Sequence, residues 1–289
     1  MAFFKTDLKG QIRNTDLPKS NGIWALFEAI VNSIQALEGY PTEEAYIEIY
    51  AKRETMVDPN TGKLEQYDLY GQKTILPFES FEITDNGSGF TTENFDSFIT
   101  AHSTLKIAKG CKGIGRFLWL KAFKKASIVS NYEEEGSWYC RAFDFDENFS
   151  PDENDYVSPS EIKERKTTII LEEFQKPYQK DVPKSLESLA GRIVEHCLTY
   201  FILSKCPRIV VKDDIDSIVL HDYYNTNIKD SLHRDNIELG GRTFTLYHLQ
   251  MQKNVDAHKL HLCANDREVR PVALSGSIPN LNKKIRSAS

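Results

Sequence analysis

The sequence predicts an α+β protein in two parts: a larger unit over residues 1–180 and part of a second α/β unit over residues 181–289. Three observations predict it. Ile23, Phe27, Ile30 and Ile34 recur at helical spacing. Segments such as Tyr46–Lys52 and Phe81–Thr84 alternate apolar and polar residues, the period of a half-buried strand. A second amphipathic helical stretch, Lys184–Leu203, then precedes a new group of strand-like runs.

The totals narrow the function classes. The chain has 289 residues, 40% of them apolar, which is enough to build a core. The formal charge of −6 argues against a nucleic-acid coat and leaves room for a local basic groove. Five scattered cysteines without a C-x-x-C pair fit reduced thiols better than a disulfide framework or a zinc site. Charge interrupts the N-terminus at once, so it does not read as a signal peptide, and no apolar run approaches a membrane span. The expectation is a cytoplasmic protein without a membrane partner.

Residues from about Asn21 to Leu37 read as the first helix, with Ser20 and Asn21 as caps and Gly39-Tyr40-Pro41 as its end. Beside the apolar stripe, Glu28 and Asn32 stand one turn apart on one face, and Gln35 continues it. A solvent-facing polar edge would look the same. Read chemically, Glu28 is placed to take a proton from water. Asn32 offers an amide oxygen to Mg²⁺, a hard cation that prefers oxygen ligands.

The strand Tyr46–Lys52 follows, then a turn over Asp58–Gly62, strand signals at Tyr67–Tyr70, and a strand from Phe78 to Thr84. That strand stops at Asp85-Asn86-Gly87-Ser88-Gly89. A carboxylate at a strand end, beside backbone without Cβ, can accept from a flat amino-bearing ligand. On these residues alone a type I′ hairpin turn is the preferred reading. Thr91–Asn94 reads as a cap before a short helix through Ile99.

Residues His102–Lys109 have the composition of a mobile loop. Gly110-Cys111-Lys112-Gly113-Ile114-Gly115 then opens into an apolar helix, Ile114–Phe123. Such glycines let backbone N–H groups converge on an anion at a helix N-terminus. Lys106, Lys109, Lys112 and Arg116 supply countercharge; a flexible hinge, or a solvated basic helix face, fits the same letters. Strands are expected at Ala126–Asn131, Trp138–Phe145 and Thr167–Leu171, with an exposed loop over Asp146–Lys166. Later strands are expected at Arg208–Lys212, Thr243–Leu249 and Leu260–Cys263. This last part reads as an unfinished domain of a longer protein.

Taken together, these pieces resemble the GHKL ATPases, the superfamily of gyrase B, the ninety-kilodalton heat-shock chaperones, histidine kinases and MutL, with MORC proteins as relatives. Glu28-x-x-x-Asn32, Asp85-x-Gly87-x-Gly89 and Gly110-x-x-Gly113-x-Gly115 stand in the family's order over roughly the first 175 residues. His102-Ser103-Thr104-Leu105-Lys106 is similar to the lid of the MutL-like branch, and Thr167 stands where the family has Gly-Thr, with Lys166 replacing that glycine.

The resemblance implies a Bergerat-type sandwich, a mixed sheet with helices on one face, holding ATP and Mg²⁺. It implies Glu28 as the water-activating residue and Asn32 as the Mg²⁺ ligand. Asp85 would accept from the adenine amino group, with Gly87, Gly89 and Thr167 near the base. Ser103, Thr104, Lys106, Gly110, Gly113, Ile114, Gly115, Arg116 and Phe117 would surround the phosphates.

The resemblance also implies slow hydrolysis, lid closure and an ATP-dependent homodimer, with a DNA or protein partner engaged through sequence beyond Ser289. Leu260–Val269 resembles a strand-turn-strand of MutL-like second domains, where a lysine reaches the γ-phosphate; Lys283 and Lys284 are candidates by location. Two alternatives stay open: a nucleotide-gated clamp with negligible turnover, and a protein kinase of the same fold.

Overall fold

A computed structural model describes residues 7–57, 64–65, 75–100, 115–249, 259–264 and 267–274. In chain order they form α1 (Leu8–Asn14), α2 (Trp24–Ala36), β1 (Tyr46–Arg53), β2 (Met56–Val57), β3 (Leu64–Glu65), β4 (Phe78–Asp85), α3 (Thr92–Ile99) and α4 (Gly115–Ala122). Next come β5 (Phe123–Glu134), β6 (Ser137–Phe145), α5 (Pro151–Asn154), β7 (Tyr156–Pro159), β8 (Lys166–Phe174) and α6 (Lys176–Gln179). The rest are α7 (Leu186–His196), α8 (Leu198–Ile202), β9 (Arg208–Lys212), β10 (Ser217–Val219), α9 (Leu220–Asn227), β11 (His233–Leu239), β12 (Arg242–His248), β13 (Lys259–Ala264) and β14 (Arg267–Ala273). The turn expected at Asp58–Gly62 and the strand at Tyr67–Tyr70 lie outside the described residues.

Eight strands form one mixed sheet in the order β10-β9-β1-β4-β8-β5-β6-β7. β9 runs parallel to β1, and the other pairings are antiparallel. The fold is therefore α+β, as expected. Strand alternation decides which face closes. Ile49, Ile83, Ile169, Ile128 and Phe143 stand side by side across five strands, and all are buried. Ala51, Phe81, Leu171, Ala126 and Phe145 form the next row, also buried. α2 closes this face with Leu26, Phe27, Ile30 and Ile34 in the same core. The stripe forms for the expected reason: its apolar side chains leave water together.

Phe78–Asp85, expected as a half-buried strand, is an interior strand of the sheet. β4 lies between β1 and β8, so both its backbone edges are paired, and Thr84 and Asp85 are buried with the apolar residues. The stretch expected as one helix over Lys184–Leu203 is two, α7 and α8, because Cys197 leaves helical geometry at ψ 12°. The loop expected over Asp146–Lys166 contains α5 and the short outer strand β7.

The boundary expected at 180/181 does not fall at an edge of the sheet. β9 and β10 lie beyond it, yet β9 pairs with β1, and Ile209 and Val211 are buried beside Ile47 and Ile49. The apolar core runs on through Tyr223, Tyr224 and Ile228. Afterwards the described strands form separate hairpins, β11–β12 and β13–β14. Among the described residues no helix is long and apolar enough to cross a membrane.

Candidate functional site

One further row crosses the helix-covered face, two residues from the isoleucine row. It reads Ile47, Asp85, Thr167, Ser130, Arg141. Every one of these residues is buried, and four of them are polar or charged. A buried polar group costs free energy unless it is hydrogen-bonded, so each demands an account.

Asp85 is held from two sides. Ser33 Oγ on α2 donates to Oδ2 at 2.7 Å, and the Gly87 backbone N–H donates to Oδ1 at 2.9 Å. Burial nonetheless pushes the carboxyl up to about 6, against the pull of those two donors. The turn after it does not return as a hairpin: the partners of β4 are β1 and β8, and the chain runs into α3. Ser88 N–H donates to Ala36 O at 2.9 Å, docking the turn on the end of α2. Asn94 Nδ2 donates to Gly89 O at 2.7 Å, and Thr91 caps α3 through Asn94 N–H.

Gly89 is a position only glycine fills well. Its φ is +71°, and a Cβ there would lie 2.7 Å from Ser130 Oγ and 2.9 Å from Tyr132 Cβ. Thr167 faces Asp85 across the β4–β8 ladder and shares a 2.8 Å hydrogen bond with Ser130. Phe90 is tied by both backbone groups. Its N–H donates to Ser130 Oγ at 2.9 Å, and its carbonyl accepts from Arg141 Nη1 at 2.6 Å.

α2 brings the second group of candidates. Glu28 and Asn32 are half-buried, one turn apart, just before Ser33. The helix starts at Trp24; Ser20 and Asn21, expected as caps, instead sit in or next to a short 3₁₀ turn, Lys19–Asn21. Gly115 opens α4 against Glu28, so closely that a Cβ on Gly115 would overlap the carboxylate. The helix motif and the last glycine of the glycine motif are thus neighbours in space.

Arg116 and Phe117 turn their side chains inward. Both side chains are buried. The Arg116 guanidinium donates to Thr100 O at 3.0 Å and lies over the rings of Phe117 and Phe98, at 4.8 and 5.3 Å. It joins the two stems that flank residues 101–114. What these two residues offer an anion is backbone N–H in the first turn of α4. Ser103, Thr104, Lys106, Gly110, Gly113 and Ile114 lie outside the described residues, as do Lys283 and Lys284.

Three residues of the site escaped the sequence reading, Ser33, Ser130 and Arg141, and Asn94 reads there only as part of a helix cap. Ser33 carried a local signal, a serine beside Asn32 on a helix otherwise closed by apolar residues. Ser130 carried none, since serine alternates into strands without marking a face. Among the described residues no group of three or more His, Cys, Asp or Glu is placed to hold a metal ion. Compared with known proteins, the sequence matches no family model and no curated relative.

Proposed function

We propose that this chain binds ATP with Mg²⁺ in a Bergerat-type sandwich, hydrolyses it slowly, and uses the nucleotide to switch a conformation or a homodimer. The observation that carries the reading is convergence. Glu28 and Asn32, Asp85 to Gly89, Gly115 and Thr167 come from separate stretches of the sequence and gather along α2: Gly115 lies against Glu28, Ser33 holds Asp85, Ser88 docks on Ala36, and Thr167 stands opposite Asp85. The motif order of a GHKL ATPase supports the same roles.

In this reading Asp85 accepts from the adenine amino group, an assignment that suits a buried carboxylate with both oxygens already oriented. Gly87, Gly89 and Thr167 border the base. Glu28 takes the proton of the attacking water. Its carboxylate lies against Gly115, so the base and the phosphate-side N–H groups of α4 share one wall. Asn32 would hold Mg²⁺ through its amide oxygen, and the ion would supply charge neutralisation at the phosphates; one or two protein groups are enough for a cation of this kind. Phosphoryl transfer needs mainly positioning and charge stabilisation, so this sparse set is chemically adequate. The parts assigned to Ser103, Thr104, Lys106, Gly110, Gly113 and Ile114 rest on the resemblance.

Calorimetric titration with Mg-ATP tests binding, and phosphate release tests turnover. Glu28→Ala should bind ATP as before and lose turnover by about 10²–10⁴-fold, the usual worth of a general base. Normal hydrolysis by Glu28→Ala removes Glu28 from the role. Label transferred to protein rather than released as phosphate turns the reading to a kinase.

A further inference from the structure

Ser130 has no part in the roles above, yet it joins two elements that do. It is fully buried and pairs with Thr167 across the β5–β8 ladder. A serine hydroxyl carries one proton and two acceptor lone pairs. Here Phe90 N–H uses one lone pair. The proton needs an acceptor, since a buried hydroxyl left unpaired costs about 1–3 kcal/mol. Among the described residues the acceptor within reach is Thr167 Oγ1, at 2.8 Å. Either hydroxyl could donate in this pair; donation from Thr167 would strand the Ser130 proton in a fully buried place, whereas donation from Ser130 leaves the Thr167 proton on the strand next to Asp85, where a ligand or a water can take it, so the second arrangement costs less.

On the adjacent strand, Asp85 stands directly opposite Thr167 as an acceptor. The pair presents acceptor and donor side by side. Adenine offers the matching edge, an amino donor beside a ring-nitrogen acceptor. Guanine offers the reverse, a carbonyl acceptor beside a ring N–H donor. Cytosine has the same order as adenine, so the pattern discriminates against guanine and not against every other base.

We infer that Ser130 is a positioning residue: it fixes the Thr167 hydroxyl as a donor next to the Asp85 acceptor, so that the corner reads the ring nitrogen and amino group of adenine and disfavours guanine. The contact is made directly or through one ordered water. The inference rests on the nucleotide reading proposed above. Without Ser130, Thr167 is free to turn its proton inward or outward, and Phe90 N–H loses its acceptor.

The test titrates the wild type and Ser130→Ala with Mg-ATP, Mg-GTP and 1-deaza-ATP, in which the ring nitrogen is replaced by C–H. The wild type should bind ATP about tenfold tighter than 1-deaza-ATP, the upper worth of one neutral hydrogen bond, and GTP more weakly still. Ser130→Ala should narrow the ATP to 1-deaza-ATP gap to about twofold or less while affinity for 1-deaza-ATP is kept. A general loss of packing would weaken both ligands alike and leave the ratio unchanged. An unchanged ratio in Ser130→Ala that melts as a folded protein overturns the inference. If that variant does not fold, Thr167→Val takes its place and should close the same gap. Equal binding of ATP and 1-deaza-ATP by the wild type overturns the inference without any variant. Absence of ATP binding by the wild type is a different result, and takes down the nucleotide reading as well.

Discussion

Two rows of side chains cross the same covered face of the sheet, two residues apart along each strand. One is Ile49, Ile83, Ile169, Ile128 and Phe143; the other is Ile47, Asp85, Thr167, Ser130 and Arg141. Both are buried. The first row is what stability alone asks of such a place. In the second, a carboxylate, two hydroxyls and a guanidinium occupy positions where aliphatic side chains would fit the strand pattern. Each polar side chain of the row makes at least one hydrogen bond, so the row holds together, but hydrogen bonds that replace bonds to water return only about 1 kcal/mol apiece. A row that breaks the local pattern while its neighbour keeps it is where a functional or a strained position is expected.

The sharpest way to break the contrast is to make the same kind of change in each row. Ile83→Ala in the apolar row should cost about 2–5 kcal/mol of unfolding free energy, through lost burial and the cavity left behind. Urea denaturation measures it, and the loss should be the same with and without nucleotide at low ligand concentration. Asp85→Asn in the polar row should do the reverse. ATP affinity should fall by at least about a hundredfold, because an amide cannot replace a carboxylate that already takes two donors. Stability at neutral pH should change little. Relief of a buried charge opposes the loss of one hydrogen bond, since the amide oxygen cannot serve both Ser33 and Gly87.

Acid sharpens the comparison further. The Asp85 carboxyl is raised by burial from 3.8 to about 6. Between these values the folded state keeps a proton that the unfolded chain releases. The stabilising contribution of the protonated group is therefore complete below about 3.8 and is lost as pH rises to about 6; this amounts to roughly 2–3 kcal/mol. Unfolding curves between pH 4 and 7 should show this slope in the wild type and lack it in Asp85→Asn. ATP affinity should move the other way, weakening as the carboxylate takes up its proton below pH 6.

The smallest structural change should give a clean functional one. Gly115→Ala places a Cβ where the Glu28 carboxylate lies, and the end of a flexible side chain can move aside. Stability should fall by no more than about 1 kcal/mol, while phosphate release drops at least tenfold with ATP affinity kept. Unaltered turnover would detach Glu28 from Gly115 in function.

What the sequence disclosed, and what it hid, follows the range of the interactions. The stripe on α2, the Glu28 and Asn32 pair, the Thr91 cap and the Asp85 turn are local patterns, and all were legible. Arg116 read as countercharge because its letter says nothing of direction; Phe98, Phe117 and the Thr100 carbonyl draw the guanidinium inward. Ser130 acquires meaning only once β5 pairs with β8. The same holds for the boundary at 180/181: nothing in Arg208–Lys212 announces that it will lie beside Tyr46–Tyr50. α1 and α9, of seven and eight residues, are too short for periodicity to stand out, whereas α3 and α4, of eight residues each, are announced by the Thr91 cap and the glycine motif.

The parallel pairing of β9 with β1 has a consequence for how this molecule is made. β1 emerges from the ribosome long before its outer neighbour, and until β9 docks, one side of β1 carries unpaired N–H and C=O groups beside Ile47 and Ile49. Such a long sequence separation slows the closing step. A polypeptide ending at residue 180 never closes it, and its bare flank is a template for strand-to-strand aggregation.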